Sequence, residues 1–171
     1  MLPPGGSPLP GPPSFFDFTT ETLEGSPAQL AEYAGRVCLV VNVASRCGLT
    51  PQYTALEALH SEFAPRGFTV LGFPSNDFGG QEPGTPEEIR TFCSTRYAVS
   101  FPLFAKRKVK GRGKDEIYRF LTRDHPDPSW NFTKYLVGRD GQVITRFDPR
   151  LDPKDLKFRR AIESALEESG G

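Results

Sequence analysis

Cys47 is the residue whose type and setting most directly suggest chemistry. It lies in Asn42-Val43-Ala44-Ser45-Arg46-Cys47-Gly48-Leu49-Thr50, where an apolar run gives way to a helix signal. Thr50 offers an N-cap and Pro51 a first helical residue. A cysteine just ahead of a helix N-terminus sits in a partial positive field. That field favours the thiolate, which is the nucleophilic form. The alternative is a small apolar residue ending a strand. Ser45, Arg46 and Gly48 make the neighbourhood polar and open, which argues against it.

Three more side chains suit a thiolate. Gln81 and Asn131 are amides, able to donate hydrogen bonds without adding negative charge, and the Trp130 indole N–H is a donor only. Such donors can stabilise a thiolate, orient a peroxide and stabilise charge on a leaving oxygen. Taken singly, each has another reading: a core-capping tryptophan, a turn asparagine, an exposed loop glutamine. Their placement by the predicted elements decides between these readings.

Val37 to Val43 is nearly continuous in apolar residues, as suits a strand covered on both faces. Pro51 to Ala64 reads as a helix with Tyr53, Leu56, Leu59 and Phe63 on one side, ended by Pro65-Arg66-Gly67. Phe68 to Phe73 is a second buried strand, followed by a long loop from Pro74 to Gly84. Thr85-Pro86-Glu87-Glu88 is a capping box opening a helix to about Tyr97. Asp115 to Arg123 reads as a further helix. Asn131 to Val137 and Gln142 to Phe147 read as strands, with Gly138-Arg139-Asp140-Gly141 as their hairpin turn. Asp152-Pro153 is expected to cap a last helix to about Glu168. Near the start, Phe15 to Thr20 is expected to form a short strand, and Ser26 to Gly35 a loop or short helical turn.

The first crossover is long enough for a right-handed parallel unit. Cys47 and the Pro74 loop then both follow the carboxyl ends of parallel strands and share one sheet edge. If the strand after Trp130-Asn131 runs antiparallel to these, its start lies on that same edge. Three separated segments thus converge near one sulfur. The expected fold is α/β: a central mixed sheet flanked by helices, as in thioredoxin-like domains.

Composition narrows the classes. The chain has 171 residues, enough for one domain with a core of useful size, and no net charge to favour nucleic acid. Three cysteines do not make a secreted disulfide scaffold. No Cys-x-x-Cys is present, and the two histidines, His60 and His125, are far apart, so no metal site or cofactor is expected. Met1 to Ser14 is rich in proline and glycine. It lacks the basic and apolar regions of a signal peptide and is expected to be a flexible tail ahead of a domain from 15 to 171. No apolar run is long enough to span a bilayer, so no stable membrane insertion is expected and a cytoplasmic location is the default. The basic run Lys106, Arg107, Lys108, Lys110, Arg112 and Lys114 reads as a solvated loop, with docking of an acidic reductase or an anionic lipid surface as the alternative.

Three motifs carry a family resemblance. Asn-Val-Ala-Ser-x-Cys-Gly at 42–48, Gly-Phe-Pro-Ser-Asn-Asp-Phe-Gly-Gly-Gln-Glu-Pro-Gly at 72–84 and Trp-Asn-Phe-Thr-Lys at 130–134 resemble the signatures of the glutathione peroxidase family. The similarity runs from about Phe15 to Leu166. It implies a thioredoxin-like fold and reduction of hydroperoxides, with Cys47 as the peroxidatic residue in a tetrad with Gln81, Trp130 and Asn131. Some members carry selenocysteine where this chain has Cys47, so slower peroxide attack is expected. The loop cysteine of many members is replaced in Pro74-Ser75-Asn76-Asp77, which places Asp77 near the site. The insertion associated with tetrameric members is missing, and a monomer is expected.

Cys93 bears on the electron donor. Ile89 and Cys93 are four apart on one helix and share its apolar face. A packed core cysteine is one reading. The other is a resolving cysteine, which condenses with a sulfenic acid on Cys47 to give a disulfide. The resemblance favours the second, because two-cysteine, thioredoxin-dependent members place a resolving cysteine in a matching segment before Phe-Pro, here Phe101-Pro102. If Cys93 starts buried, its helix must unwind locally. Thioredoxin is then the expected reductant, with glutathione acting directly on Cys47 as the alternative. A peroxide sensor relaying oxidation to a partner protein shares the first step. Cys38, inside the apolar strand, is expected to be structural.

Overall fold

A computed structural model describes residues 13–168. The expected tail therefore lies outside the described residues except for Pro13 and Ser14. These two are held: Gln142 Nε2 donates to the Pro13 carbonyl at 2.9 Å, and Ser14 makes a capping box with Asp17.

That capping box folds Phe15–Asp17 into a 3-10 turn, with Phe15 buried, where a strand was expected. The strand begins later, as β1 (Thr19–Glu21), and pairs antiparallel with β2 (Pro27–Gln29), inside the segment expected to be loop or helical turn. Each strand is three residues long, too short for an alternating pattern to show. Leu30–Tyr33 is the short helical turn, in 3-10 form.

The central sheet starts with β3 (Val37–Val43), all seven residues buried. Then come α1 (Gln52–Phe63), β4 (Phe68–Pro74), α2 (Pro86–Tyr97), α3 (Glu116–Leu121), β5 (Lys134–Val137), β6 (Val143–Phe147) and α4 (Leu156–Glu167). The sheet order is β4-β3-β5-β6. β4 runs parallel to β3, whereas β5 is antiparallel to β3 and β6 to β5, so the sheet is mixed as expected.

Alternation along β3 sends side chains to two cores. Val37, Leu39, Val41 and Val43 pack with α1, α2 and α4 on one face. Cys38 and Val40 pack with α3 on the other. Burial on both faces explains the unbroken apolar runs; each full burial of a Val, Leu or Phe side chain is worth about 1.5–3 kcal/mol. Leu103 bridges β4 in parallel at Gly72, where a Cβ would stand 2.7 Å from Leu103 Cδ2, so a larger residue would have to push that buried side chain aside. Among the described residues no helix is long and apolar enough to cross a membrane.

α3 and β6 are a residue or two shorter at their ends than expected, and three further boundaries differ for a visible reason. α1 starts at Gln52, after Pro51, because the Thr50 hydroxyl is used elsewhere. α4 is capped by Asp155, whose carboxylate accepts from Lys157 N, while Asp152 accepts from Lys154 N in the turn before it. β5 starts at Lys134 and not Asn131, for a reason that lies in the site.

Candidate active site

The loop after β3 is a knot of short bonds around Cys47. Cys47 N donates to Thr50 Oγ1 at 3.0 Å, and that hydroxyl donates to the Ala44 carbonyl at 2.8 Å. Leu49 N donates to the Cys47 sulfur at 3.3 Å. A main-chain N–H is therefore aimed at the sulfur. Thr50 thus closes the cysteine turn and does not cap α1. Cys47 is 8% exposed and lines a cavity of about 610 Å³, together with Gly48, Leu49, Ser129, Trp130, Asp148, Pro149 and Arg150.

The loop after β4 is tied to this turn. Ser75 N donates to the Val43 carbonyl, and Arg46 N to the Gln81 carbonyl at 3.0 Å. Glu82 is fully buried, and its Oε1 accepts from Ser45 N at 3.1 Å. Burial pushes the Glu82 carboxyl up; the bonds from Ser45 and the charges of Lys106 and Arg46 pull it back in part. Asp77 is turned away from the sulfur, since its carboxylate accepts from Val109 N at 2.7 Å. It ties the basic loop down through main-chain N–H groups of Val109 and Lys110; within that loop Arg107 pairs with Glu21 and Lys114 with Asp127.

The third segment is held by Asn42, the last-but-one residue of β3. Its Nδ2 donates to the Trp130 carbonyl at 3.1 Å, and its Oδ1 accepts from Thr133 N at 3.1 Å. Its own carbonyl accepts from Phe132 N at 2.6 Å. These bonds hold Phe132 at φ 67°, a left-handed conformation costly for a bulky residue. The chain therefore turns at 131–133, and β5 begins only at Lys134.

The sheet edge collects all three segments. Trp130 is 36% exposed, lines the Cys47 cavity and packs against Phe78 at 5.5 Å between ring centres. Asn131 is buried and donates from Nδ2 to Gln81 Oε1 at 2.9 Å. Asn131 Oδ1 is buried without a partner. The amides of Gln81 and Asn131 thus form one unit beside Trp130.

Cys93 is buried, 1% exposed, on the inner face of α2 with Ile89. Burial pushes its thiol up; the Tyr53 hydroxyl nearby works against that, while the Glu82 charge adds to the rise and Arg90 opposes it. Cys38 is fully buried in β3, and burial raises its thiol strongly. All three cysteines are free thiols. A second cavity, about 210 Å³, separates the Cys47 turn from α2; Ser45, Arg46 and Glu82 line one side, Ile89 and Phe92 the other. Among the described residues no group of three His, Cys, Asp or Glu side chains could hold a metal.

Sequence reasoning missed the supports. Asn42, Glu82 and Lys134 lie inside the quoted motifs but were given no part. Lys134 is fully buried, and its ammonium donates to Gln52 Oε1 at 2.6 Å and to the Pro149 and Leu151 carbonyls at 2.9 and 3.0 Å. The available signal was polarity in the wrong place: an amide ending an apolar strand, and a lysine opening one. Buried polar groups persist where they are bonded.

Comparison with known proteins places the chain in a family. The family model for glutathione peroxidase matches residues 15–122. The hydroperoxy fatty acid reductase Gpx2 of Synechocystis sp. is 50% identical, over 85% of this chain and 94% of that protein. The thioredoxin/glutathione peroxidase BtuE of Escherichia coli is 41% identical, over 90% and 97%. The crystal structure of Trgpx in apo form superposes with a TM-score of 0.76 at 34% identity, covering 92% of this chain and 99% of that one. A thioredoxin family thiol:disulfide interchange protein from Chlorobium tepidum, 20% identical, shares the fold at a TM-score of 0.67, covering 94% and 99%. With its thioredoxin-like fold and these relatives, the chain belongs to the glutathione peroxidase family and is a peroxidase, an oxidoreductase.

Proposed function

We propose that Cys47 is the peroxidatic residue, that Cys93 resolves it and that thioredoxin recycles the pair. The observation that carries this reading is the contrast among the thiols. Cys47 opens into a cavity with a main-chain N–H on its sulfur, whereas Cys38 and Cys93 are sealed in the core. In the first step the Cys47 thiolate attacks one peroxide oxygen and the O–O bond breaks. The departing alkoxide takes a proton and leaves as alcohol, or as water from hydrogen peroxide. Gln81, Trp130 and Asn131 supply donors for the charge on that oxygen.

Cys47 is then a sulfenic acid. The Cys93 thiolate attacks its sulfur, the S–O bond breaks, hydroxide leaves as water and a disulfide forms. Cys93 must leave the core for this. α2 suits that demand: of its twelve residues only Ile89 and Cys93 are buried, against five in α1, so local unwinding exposes little apolar surface. The 210 Å³ cavity lies on the path between the two elements. Two thiols of thioredoxin reduce the disulfide by two exchanges. The BtuE name pairs both reductants, and glutathione acting on sulfenylated Cys47 is the competing donor. A monomer in a reducing compartment completes the reading.

Cys93→Ser separates the donors. Thioredoxin-driven turnover is expected to fall at least about 100-fold, while peroxide still consumes one Cys47 thiol per chain. Thioredoxin-driven turnover that survives in the variant refutes the resolving role.

A further inference from the structure

We propose that Arg150 is the anion anchor of the Cys47 cavity and selects hydroperoxides that carry a free carboxylate over their neutral esters. This rests on Cys47 being the peroxidatic residue. The segment bearing Arg150 is fixed far more firmly than an exposed turn requires. Leu151 N donates to the Asp148 carbonyl at 3.1 Å, closing the turn. The carbonyls on either side of Arg150 are both held by the buried Lys134 ammonium, at 2.9 Å for Pro149 and 3.0 Å for Leu151. Gln52 Nε2 donates to the Pro149 carbonyl as well, at 2.8 Å. Lys134 and Gln52 thereby lock residue 150 against the start of α1, close in sequence to the nucleophile.

What this framework presents is an uncommitted cation. Arg150 is exposed and makes no ion pair among the described residues. Asp148 is the acidic group lining the same cavity, but one of its oxygens is already engaged, accepting from Arg150 N at 2.9 Å. A guanidinium offers a planar fork that matches a carboxylate. The rest of the wall supplies what an acyl chain needs: Leu49, Trp130 and Pro149 are apolar and border Cys47. Arg150 also borders an adjoining cleft of about 280 Å³, shared with Gly48, Leu49, Ala55, Asp152 and Lys154, which gives a chain a second direction to run. An acidic ligand seated on Arg150 therefore places its chain across the mouth of the thiol.

A carboxylate could also come from glutathione, so the test isolates the peroxide step. Reduced protein is mixed by stopped flow with 13-hydroperoxyoctadecadienoic acid or its methyl ester, with no reductant present, and oxidation is followed by the fluorescence of Trp130. The reading is the ratio of the two second-order constants within each protein. In the unaltered protein the acid is expected to react about tenfold faster than the ester, less so at high salt. In Arg150→Gln the ratio is expected to fall to about one, and Arg150→Lys to restore part of it, because charge without the fork is a weaker anchor. A ratio near one in the unaltered protein, or the same ratio in Arg150→Gln, overturns the anchor. A separate steady-state assay with glutathione covers the other source of a carboxylate: in Arg150→Gln, a raised KM for glutathione with the acid-to-ester ratio unchanged also overturns the anchor and makes the thiol the ligand of Arg150. Hydrogen peroxide is run beside them: if it too leaves Cys47 reduced, the fault lies in the peroxidatic reading beneath.

Discussion

Removing the Asn42 side chain should cost both stability and speed, and by separable amounts. Asn42→Ala deletes the donor to Trp130 O and the acceptor of Thr133 N. Trp130 O keeps a second donor, Thr133 Oγ1 at 2.8 Å, so its loss is partly covered. Thr133 is fully buried, and its N–H is left without a partner, which costs about 1–3 kcal/mol. The vacated amide volume adds roughly 1 kcal/mol. Against this, freeing Phe132 from its left-handed conformation returns about 1 kcal/mol. The net expectation is a loss of about 1–3 kcal/mol, or roughly 2–12 °C in Tm for a chain of this size. Urea unfolding followed by fluorescence of the single tryptophan measures it. The functional effect is larger than the stability loss implies, because the turn no longer holds Trp130 and Asn131 against the Cys47 edge. Single-turnover oxidation of the folded variant by hydrogen peroxide should slow about 10–100-fold. A variant destabilised as stated but oxidised at the original rate refutes the positioning argument. One with unchanged stability refutes the hydrogen-bond accounting.

Two further changes test the buried charges. Burial raises the Glu82 carboxyl, so the folded chain binds more protons than the unfolded chain above about pH 4.5 and loses stability as pH rises from there. Glu82→Gln keeps an acceptor for Ser45 N, should lack that loss, and should be at least as stable near pH 7; denaturation across pH 4 to 8 checks the sign. Lys134 is the opposite case, lowered to about 7 chiefly by burial. Between about pH 7 and 10.5 the folded chain binds fewer protons than the unfolded chain, so this group makes stability rise with pH across that window. Lys134→Met should abolish the rise and, with Gln52 Oε1 and the Leu151 carbonyl left unpaired, cost about 2–4 kcal/mol at pH 7; a pH series of urea midpoints decides both.

The elements that place Cys47 were legible because their signals are local. A nearly continuous apolar run over Val37–Val43, a capping box with Pro86 behind Thr85, and a Gly-Arg-Asp-Gly turn each announce one element. Convergence of the 47, 81 and 130–131 segments followed from strand direction alone, once β5 was taken as antiparallel. What stayed hidden depends on partners far away in the chain. β1 and β2 exist only because they pair with each other, and Asp17 turns Phe15–Asp17 into a 3-10 turn by capping Ser14. Thr50 looked like an N-cap because its competing bonds to Cys47 N and Ala44 O are tertiary in consequence though near in sequence. Lys134 and Arg150 are linked through two carbonyls, and carbonyl direction is not written in residue type.

The central claim is that Cys47 and Cys93 form one redox pair. Reduced protein treated with one equivalent of hydrogen peroxide, then mapped by mass spectrometry without reductant, tests it most directly. A Cys47–Cys93 disulfide, with Cys38 still a free thiol, is the predicted product. Sulfenic or sulfinic acid on Cys47 beside an unreacted Cys93 would contradict the internal resolution step. An unreacted Cys47 in folded protein would contradict the peroxidatic role itself.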